Sequence, residues 1–234
     1  MQALRRDIGS AGLPPVSSVF VGGGTPTLVD PAQLADALRA IPTTADAEVT
    51  VECNPDDVTV EMLRVYRAAG VNRVSIGVQS MVPHVLASLG RTHGPANVGH
   101  AVAAVRAADI PTFNLDLIYG AAGESLADWR VTLEGAVALE PTHISAYALT
   151  VEAGTPLAEQ PDRHPDDDDL ADKYELADEL LTAAGLANYE VSNWARTGHE
   201  CKHNMLYWQQ GNYRGFGSAA HSHLNGRRWW NLRT

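Results

Sequence analysis

Short apolar strands alternate with helices along the first 150 residues, and this alternation restricts the fold more than any other feature of the sequence. A strand and a helix that recur together roughly every 25–40 residues are typical of an α/β protein with a parallel sheet. We interpret the strands as continuously apolar, which predicts helices on both faces of the sheet. An open doubly wound sheet and a barrel are both compatible with this pattern. The predicted strands are Val16–Val21, Glu48–Glu52, Arg73–Val78, Thr112–Leu117 and His143–Ala148.

Capping residues predict where the intervening helices begin. Asp30, Thr59 and Ser125 each precede a helical segment and carry an oxygen that can accept from a first-turn N–H. Asp128 follows Ser125 by three residues, which is the spacing of a capping box. The predicted helices are Pro31–Arg39, Val60–Ala69, Pro83–Leu89, Ala96–Ala108 and Leu126–Leu139.

The first predicted strand ends in three glycines, Gly22, Gly23 and Gly24, followed by Thr25. Glycine has no side chain and tolerates positive φ, so the backbone there can approach a ligand closely. A helix begins soon afterwards at Pro31, and the start of a helix favours polar or anionic groups. The pattern is compatible with a loop that binds a small polar group, but glycine triplets also occur in ordinary loops.

Polar side chains also mark the ends of the later strands. Glu52, Gln79 and Asp116 lie at the carboxyl ends of three predicted strands, and Arg91 follows a short helix. In parallel α/β folds these ends face one crevice, where ligands bind. A buried carboxylate is unfavourable unless it has a partner, so the alternative for each is a structural hydrogen bond to a loop. For Arg91 the alternative is an exposed surface position.

The regular alternation stops after residue 150. A helix is predicted at Asp168–Ala184 and a strand at Asn188–Asn193. The remaining tail is rich in histidine and tryptophan. In a strand, His199, Cys201 and His203 would share one face, whereas a helix would place His203 beside Tyr207.

Histidine, cysteine and tyrosine can all ligate haem iron, and aromatic neighbours can cover a flat macrocycle. Aromatic packing and a zinc site remain alternatives, although the spacing matches no standard zinc signature. The zinc alternative would use His199, Cys201, His203, His221 and His223.

Composition excludes several classes of protein. The formal net charge of -11 argues against a broad nucleic-acid footprint, which needs a basic face. The two cysteines are far apart in sequence, which fits a reducing cytosol better than a disulfide framework. The N-terminus lacks the apolar segment of a signal peptide, and no stretch of about 18 apolar residues predicts a membrane span.

Taken together and in order, these motifs resemble the radical S-adenosylmethionine family. The resemblance is to its branch of oxygen-independent coproporphyrinogen III oxidase-like proteins, and within that branch to the haem chaperones. It runs from about Val16 to the last residue. The segments that carry it are Gly22–Thr27, Glu52–Pro55, Ser75–Ser80, Gly90–His93, Asp116–Gly120, Tyr189–Asn193 and His203–Trp208, the last reading HNxxYW.

The resemblance implies a fold and a set of site residues. The fold would be a partial TIM-type (β/α)6 barrel without its first strand at residues 1–150. Residues 151–234 would begin a smaller α+β region that carries the HNxxYW haem-binding motif. S-adenosylmethionine would be lined at its methionyl end by Gly22, Gly23, Gly24 and Thr25, and its polar groups would contact Glu52, Gln79, Arg91 and Asp116. Haem would contact His203 first and Tyr207 second.

One departure concerns the [4Fe-4S] cluster of the family. That cluster is held by three cysteines in a CxxxCxxC loop after the first strand, and this chain contains only Cys53 and Cys201. Residues 1–12 look like the end of a helix with no strand before it. We therefore expect an N-terminally truncated member that has no ligands for the cluster and does not perform radical chemistry as it stands.

The function implied by the resemblance is that of a cytoplasmic haem chaperone. It would bind haem and deliver it to a haemoprotein, using a [4Fe-4S] cluster and S-adenosylmethionine in the intact protein. An oxygen-independent coproporphyrinogen III dehydrogenase is the first alternative, and a zinc-binding or structural barrel fragment is the second. We expect no nucleic-acid partner and no membrane span, and peripheral membrane contact stays open.

Overall fold

The computed structural model describes residues 1–233, so Thr234, the end of the predicted C-terminal region, lies outside the described residues. The helices are α1 Gln2–Ser10, α2 Pro31–Arg39, α3 Val60–Ala68, α4 Pro83–Ser88, α5 Pro95–Ala107, α6 Leu126–Val137, α7 Asp167–Ala183 and α8 Lys202–Trp208. The strands are β1 Val16–Val21, β2 Thr43–Cys53, β3 Arg73–Gln79, β4 Thr112–Tyr119, β5 His143–Ala148, β6 Ala187–Glu190, β7 Asn193–Ala195, β8 His221–Leu224 and β9 Arg227–Trp230.

Seven of these strands form one sheet in the order β1-β2-β3-β4-β5-β7-β6. Strands β1 to β5 pair in parallel, as predicted, and β7 is antiparallel to both β5 and β6. Strands β8 and β9 form a separate hairpin. The sheet continues beyond residue 150, since β6 and β7 complete it. The division of the chain into two regions at residue 150 stays a prediction.

Two details of the sequence interpretation are wrong. The strand predicted at Asn188–Asn193 is a hairpin, because β6 ends at Glu190, and β7 returns from Asn193. The parallel strands are also not continuously apolar. Val74, Ile76 and Val78 of β3 belong to the hydrophobic core, whereas Arg73 and Ser75 face a polar cavity inside the sheet.

The capping predictions are confirmed. Asp30, Thr59 and Ser125 accept hydrogen bonds from the first turns of α2, α3 and α6, and Asp128 completes the capping box with Ser125. These caps fix the starts of the outer helices, whose apolar faces pack on the outer face of the sheet.

The sheet is strongly curled, and helix α8 shows by how much. A flat sheet of seven strands would separate β1 from β6 by six spacings, or about 29 Å. Helix α8 has seven residues, which is about 10 Å of helix. It nevertheless reaches both edges, because His203 bonds to Ser18 of β1 and Trp208 bonds to Glu190 of β6. The sheet is therefore a half-barrel, and α8 lies across its opening.

Within residues 1–233, no helix is long and apolar enough to cross a membrane.

Candidate functional site

The glycine loop after β1 is fastened to the end of β2. Gly23 and Gly24 have φ values of 83° and 65°, a region that glycine adopts without strain. The Gly23 N–H donates to Glu52 Oε2 at 3.1 Å. A Cβ on Gly22 would lie 2.6 Å from the Phe20 ring and 2.9 Å from the Glu52 carboxyl group, so position 22 has no room for a side chain. The loop and Glu52 thus form one unit at the strand ends.

Asp116 of β4 lies inside the half-barrel. Its Oδ2 accepts from Ser75 Oγ and its Oδ1 accepts from Asn114 Nδ2, each at 2.7 Å. Burial raises the pKa of Asp116, and these hydrogen bonds and the nearby Arg73 oppose that rise. Burial and the nearby charge of Asp116 also raise the pKa of Glu52. The hydrogen bond from the Gly23 N–H opposes this rise.

A histidine, His143, extends this network towards α8. Its Nδ1 lies 2.6 Å from Asn114 Oδ1, which can only accept, so Nδ1 carries the proton. Its Nε2 lies 2.8 Å from the Tyr189 hydroxyl, which also accepts from the Cys201 N–H at 3.3 Å. Burial places the pKa of His143 well below its usual value. The ring is therefore neutral at pH 7 and acts as a hydrogen-bonding link.

Glu48 of β2 fixes the start of α8. Its carboxylate accepts from the backbone N–H of Lys202 and of His203, each at 3.1 Å, and from Cys201 Sγ at 3.3 Å. A carboxylate at the start of a helix satisfies free N–H groups and interacts favourably with the helix dipole. The histidine of the HNxxYW motif is thereby held inside the half-barrel.

His203 and Tyr207 are neighbours on α8, as the helical alternative predicted. His203 Nδ1 lies 2.9 Å from Ser18 Oγ, and Nε2 lies 2.8 Å from the Tyr207 hydroxyl. The imidazole stacks on Phe20 with ring centroids 5.3 Å apart. Burial lowers the pKa of His203, so its ring is neutral at pH 7, while Tyr207 remains 47% exposed.

Two adjacent spaces lie beside this pair. A polar cavity of about 230 Å³ lies inside the half-barrel, and a larger groove of about 1120 Å³ lies beside β1. Phe20, His203 and Tyr207 line both. The groove also has aromatic walls from Tyr213 and Phe216.

The structure brings some predicted site residues together and leaves others apart. Glu52, Asp116, His203 and Tyr207 all line the polar cavity, and Gly22 and Gly23 line the adjoining groove. Gly24 and Thr25 continue the same loop outside both spaces.

Gln79 and Arg91 lie outside both spaces as well. Gln79 is buried with φ 64°, and its amide lies over Gly77. Arg91 is exposed, and within residues 1–233 its side chain has no hydrogen bond or ion pair. Their contacts with S-adenosylmethionine stay predictions.

The sequence interpretation missed most of the inner face of the half-barrel. Polar side chains alternate with core residues along β3, β4 and β5, and this period of two is the signal that would have found them. The missed polar residues that line the cavity are Arg73, Ser75, Asn114, His143, Ser145, Tyr147, Asn193 and Asn204.

Neither cysteine suits an iron–sulfur cluster. Burial raises the pKa of Cys53 to about 12 and that of Cys201 to about 11, so both stay protonated, and clusters bind thiolates. Cys53 lies in the apolar core and Cys201 bonds to Glu48. The residues of the described chain do not fit the cluster.

The five side chains of the zinc alternative are not assembled either. His203 is bonded to Ser18 and Tyr207, and His223 Nδ1 lies 2.8 Å from the Gly211 carbonyl oxygen. Among residues 1–233, no group of three or more His, Cys, Asp or Glu side chains is placed to hold a metal ion.

The polar ends of S-adenosylmethionine fit the strand ends better. A carboxylate at Glu52, another at Asp116 and open backbone at Gly23 and Gly24 suit a ligand that carries an ammonium group and ribose hydroxyls.

The sequence profile of the Radical SAM superfamily matches residues 2–136. The chain belongs to that superfamily. Among its relatives, the heme chaperone HemW of Mycobacterium tuberculosis is 46% identical over 228 residues, which cover 94% of this chain and 58% of the relative. The heme chaperone HemW of Escherichia coli is 44% identical over 210 residues, covering 88% and 56%. The chain thus spans less than two thirds of the length of these relatives.

A solved Radical SAM enzyme has the same fold. Coproporphyrinogen III oxidase (HemN) from Escherichia coli superposes with a TM-score of 0.83 at 23% identity, over 100% of this chain and 59% of that one. The predicted partial TIM-type barrel is therefore confirmed. Membership of the Radical SAM superfamily implies S-adenosylmethionine and a [4Fe-4S] cluster as the cofactors of the family.

Proposed function

We propose that this chain is the larger part of a cytoplasmic haem chaperone, which binds haem and passes it to a haemoprotein. The observation that carries the proposal is the pair His203 and Tyr207, side by side on α8 at the wall of an aromatic-lined groove. Imidazole and phenolate are both established ligands of haem iron, and aromatic rings pack well on a macrocycle. The 46% identity to the Mycobacterium tuberculosis heme chaperone HemW supports the same function.

The two candidate ligands differ in how accessible they are to haem iron. His203 Nε2 must give up its hydrogen bond to Tyr207 before it can bind iron, whereas Tyr207 is already half-exposed at the groove. Tyr207→Phe removes the partner of Nε2 without removing the imidazole. If His203 is the ligand, this variant binds haemin at least as tightly as the wild type. If Tyr207 is the ligand, the variant loses its charge-transfer absorption band.

For S-adenosylmethionine, we propose contacts at the strand ends. The carboxylates of Glu52 and Asp116 would accept from its ammonium and hydroxyl groups, and the open backbone at Gly23 and Gly24, next to Gly22, would leave room for its amino-acid end. S-Adenosylmethionine is the sulfonium nucleotide of the family, and this chain's own residues would supply the hydrogen-bond acceptors that orient it.

Delivery of haem is the property that separates a chaperone from a passive binding protein. We suggest loading the chain with haemin, mixing it with apomyoglobin as a surrogate acceptor, and following the Soret band. Delivery through a complex predicts a transfer rate that rises with acceptor concentration. A chain that takes up no haemin, or one that releases it at a rate independent of the acceptor, would contradict the proposal.

The fold of coproporphyrinogen III oxidase favours the oxidase alternative only as a related fold, because the identity to that enzyme is 23%. No reaction step is assigned to this chain through a cluster that its cysteines do not fit.

A further inference from the structure

A buried arginine, Arg73 at the start of β3, faces the polar cavity without a partner. It is 4% exposed, and within residues 1–233 its guanidinium makes no hydrogen bond and no ion pair. Arginine stays charged at all physiological pH values, and a buried cation is costly unless an anion faces it. The arrangement therefore leaves room for a negatively charged group that the protein itself does not supply.

The neighbouring carboxylates are already engaged by other donors. Asp116 accepts from Ser75 and Asn114, and Glu52 accepts from the Gly23 N–H. Glu48 accepts from the first N–H groups of α8. Asp116 and Arg73 attract each other electrostatically at a distance. However, no carboxylate among the described residues lies within 4.0 Å of the guanidinium.

A second donor in the same cavity also lacks an acceptor. Asn204 Nδ2, from the second position of HNxxYW, is buried and has no hydrogen-bond partner. The Asn204 side chain lies close enough to the Tyr189 hydroxyl to oppose the rise that burial causes in the pKa of Tyr189, but no hydrogen bond of normal geometry joins the two. A buried donor without an acceptor is rare in native proteins and points to a missing partner.

We propose that Arg73 and Asn204 bind a carboxylate of the ligand in this cavity. A guanidinium presents paired N–H groups that match the two oxygens of a carboxylate. Glu52 and Asp116 line the same space and would repel a doubly charged phosphate, which favours a single carboxylate. A space of about 230 Å³ accommodates one such arm and excludes a whole macrocycle.

Under the proposed haem function, on which this step rests, the carboxylate is a haem propionate. His203 and Tyr207 line both the groove and the cavity. A macrocycle in the groove beside His203 would therefore direct one propionate past Phe20 towards Arg73.

The test compares haemin with haemin dimethyl ester, in which both propionates are neutral. We expect the wild type to bind haemin about tenfold more tightly than the ester. A hydrogen bond between a charged donor and a charged acceptor contributes about this factor to binding affinity. Arg73→Gln should abolish this preference, Arg73→Lys should keep part of it, and Asn204→Ala should reduce it without removing a buried charge. Arg130→Gln, an exposed arginine on α6, is the matched control and should behave as the wild type.

A probe without haem separates this inference from the haem proposal. Sodium propionate should raise the melting temperature of the wild type and not that of Arg73→Gln. If the wild type takes up no haemin but responds to propionate in this way, the carboxylate site stands and the haem function fails. If haemin binds and the preference for free acid is the same in the wild type, Arg73→Gln and Asn204→Ala, the site is overturned and the haem function stands.

Discussion

Replacing Asp116 by Asn should stabilise the protein at neutral pH while it weakens the candidate site. Burial raises the pKa of Asp116 in the folded state above the value of about 3.9 in the unfolded chain. The folded state therefore holds a proton that the unfolded state releases, and the stability from this group is full below about pH 4. It is lost as the pH rises through the raised pKa.

The substitution keeps the local contacts. An amide at this position can still accept from Asn114 Nδ2, and its NH2 group can donate to Ser75 Oγ, which lies 2.7 Å from the present Oδ2. The charge is lost, and the Ser75 hydroxyl changes from donor to acceptor in this contact. The charge of Asp116 helps to raise the pKa of Glu52, so removing that charge also removes a repulsion that destabilises the ionised form of Glu52. We expect a gain on the order of 1 kcal/mol at pH 7, or roughly 2–4 °C in melting temperature.

Urea denaturation followed by circular dichroism from pH 4 to pH 8 measures this effect. The difference in unfolding free energy between Asp116→Asn and the wild type should be near zero at pH 4 and grow with pH. Asp162→Asn is a suitable control, because Asp162 is exposed and its carboxylate has no hydrogen bond or ion pair within the described residues. A difference that is constant with pH, or a loss of stability at pH 7, would show that the buried charge of Asp116 does not destabilise the folded state.

Two further substitutions test the glycine loop and the closing helix. Gly22→Ala should displace the Glu52 carboxyl group, because the new Cβ would lie 2.9 Å from it, and should lower stability by about 1–3 kcal/mol; Gly99→Ala on α5, with open space at its Cβ, should not. Trp208→Phe removes the 2.9 Å hydrogen bond to Glu190 that fastens α8 to β6, and should lower the melting temperature by roughly 2–4 °C. An unchanged melting temperature in either variant would show that the contact is not needed.

Local signals in the sequence were sufficient for the outer layer of the fold. Asp30, Thr59 and Ser125 act through contacts within one helical turn, and each caps the helix that it was predicted to cap. The strand ends were also predictable, because parallel topology alone brings Glu52 and Asp116 to the same side.

The inner face was available in the sequence but was misinterpreted. Arg73, Ser75, Asn114 and His143 occupy alternate positions, and in an open sheet covered on both faces they would be buried against helices. In a half-barrel they face a cavity, so the same alternation favours a barrel-like sheet over an open doubly wound one. The role of α8 was not predictable in this way, because its contacts with Ser18 and Glu190 depend on how far the sheet curls.

A haemin titration of three proteins, followed at the Soret band, tests whether His203 binds haem. The proteins are the wild type, His203→Ala and His199→Ala, and His199 serves as the control because it lies in the same segment but outside both spaces. Circular dichroism establishes that each is folded. We expect His203→Ala alone to lose at least about tenfold in affinity for haemin, which corresponds to about 1.4 kcal/mol. Equal affinity in all three proteins would contradict it.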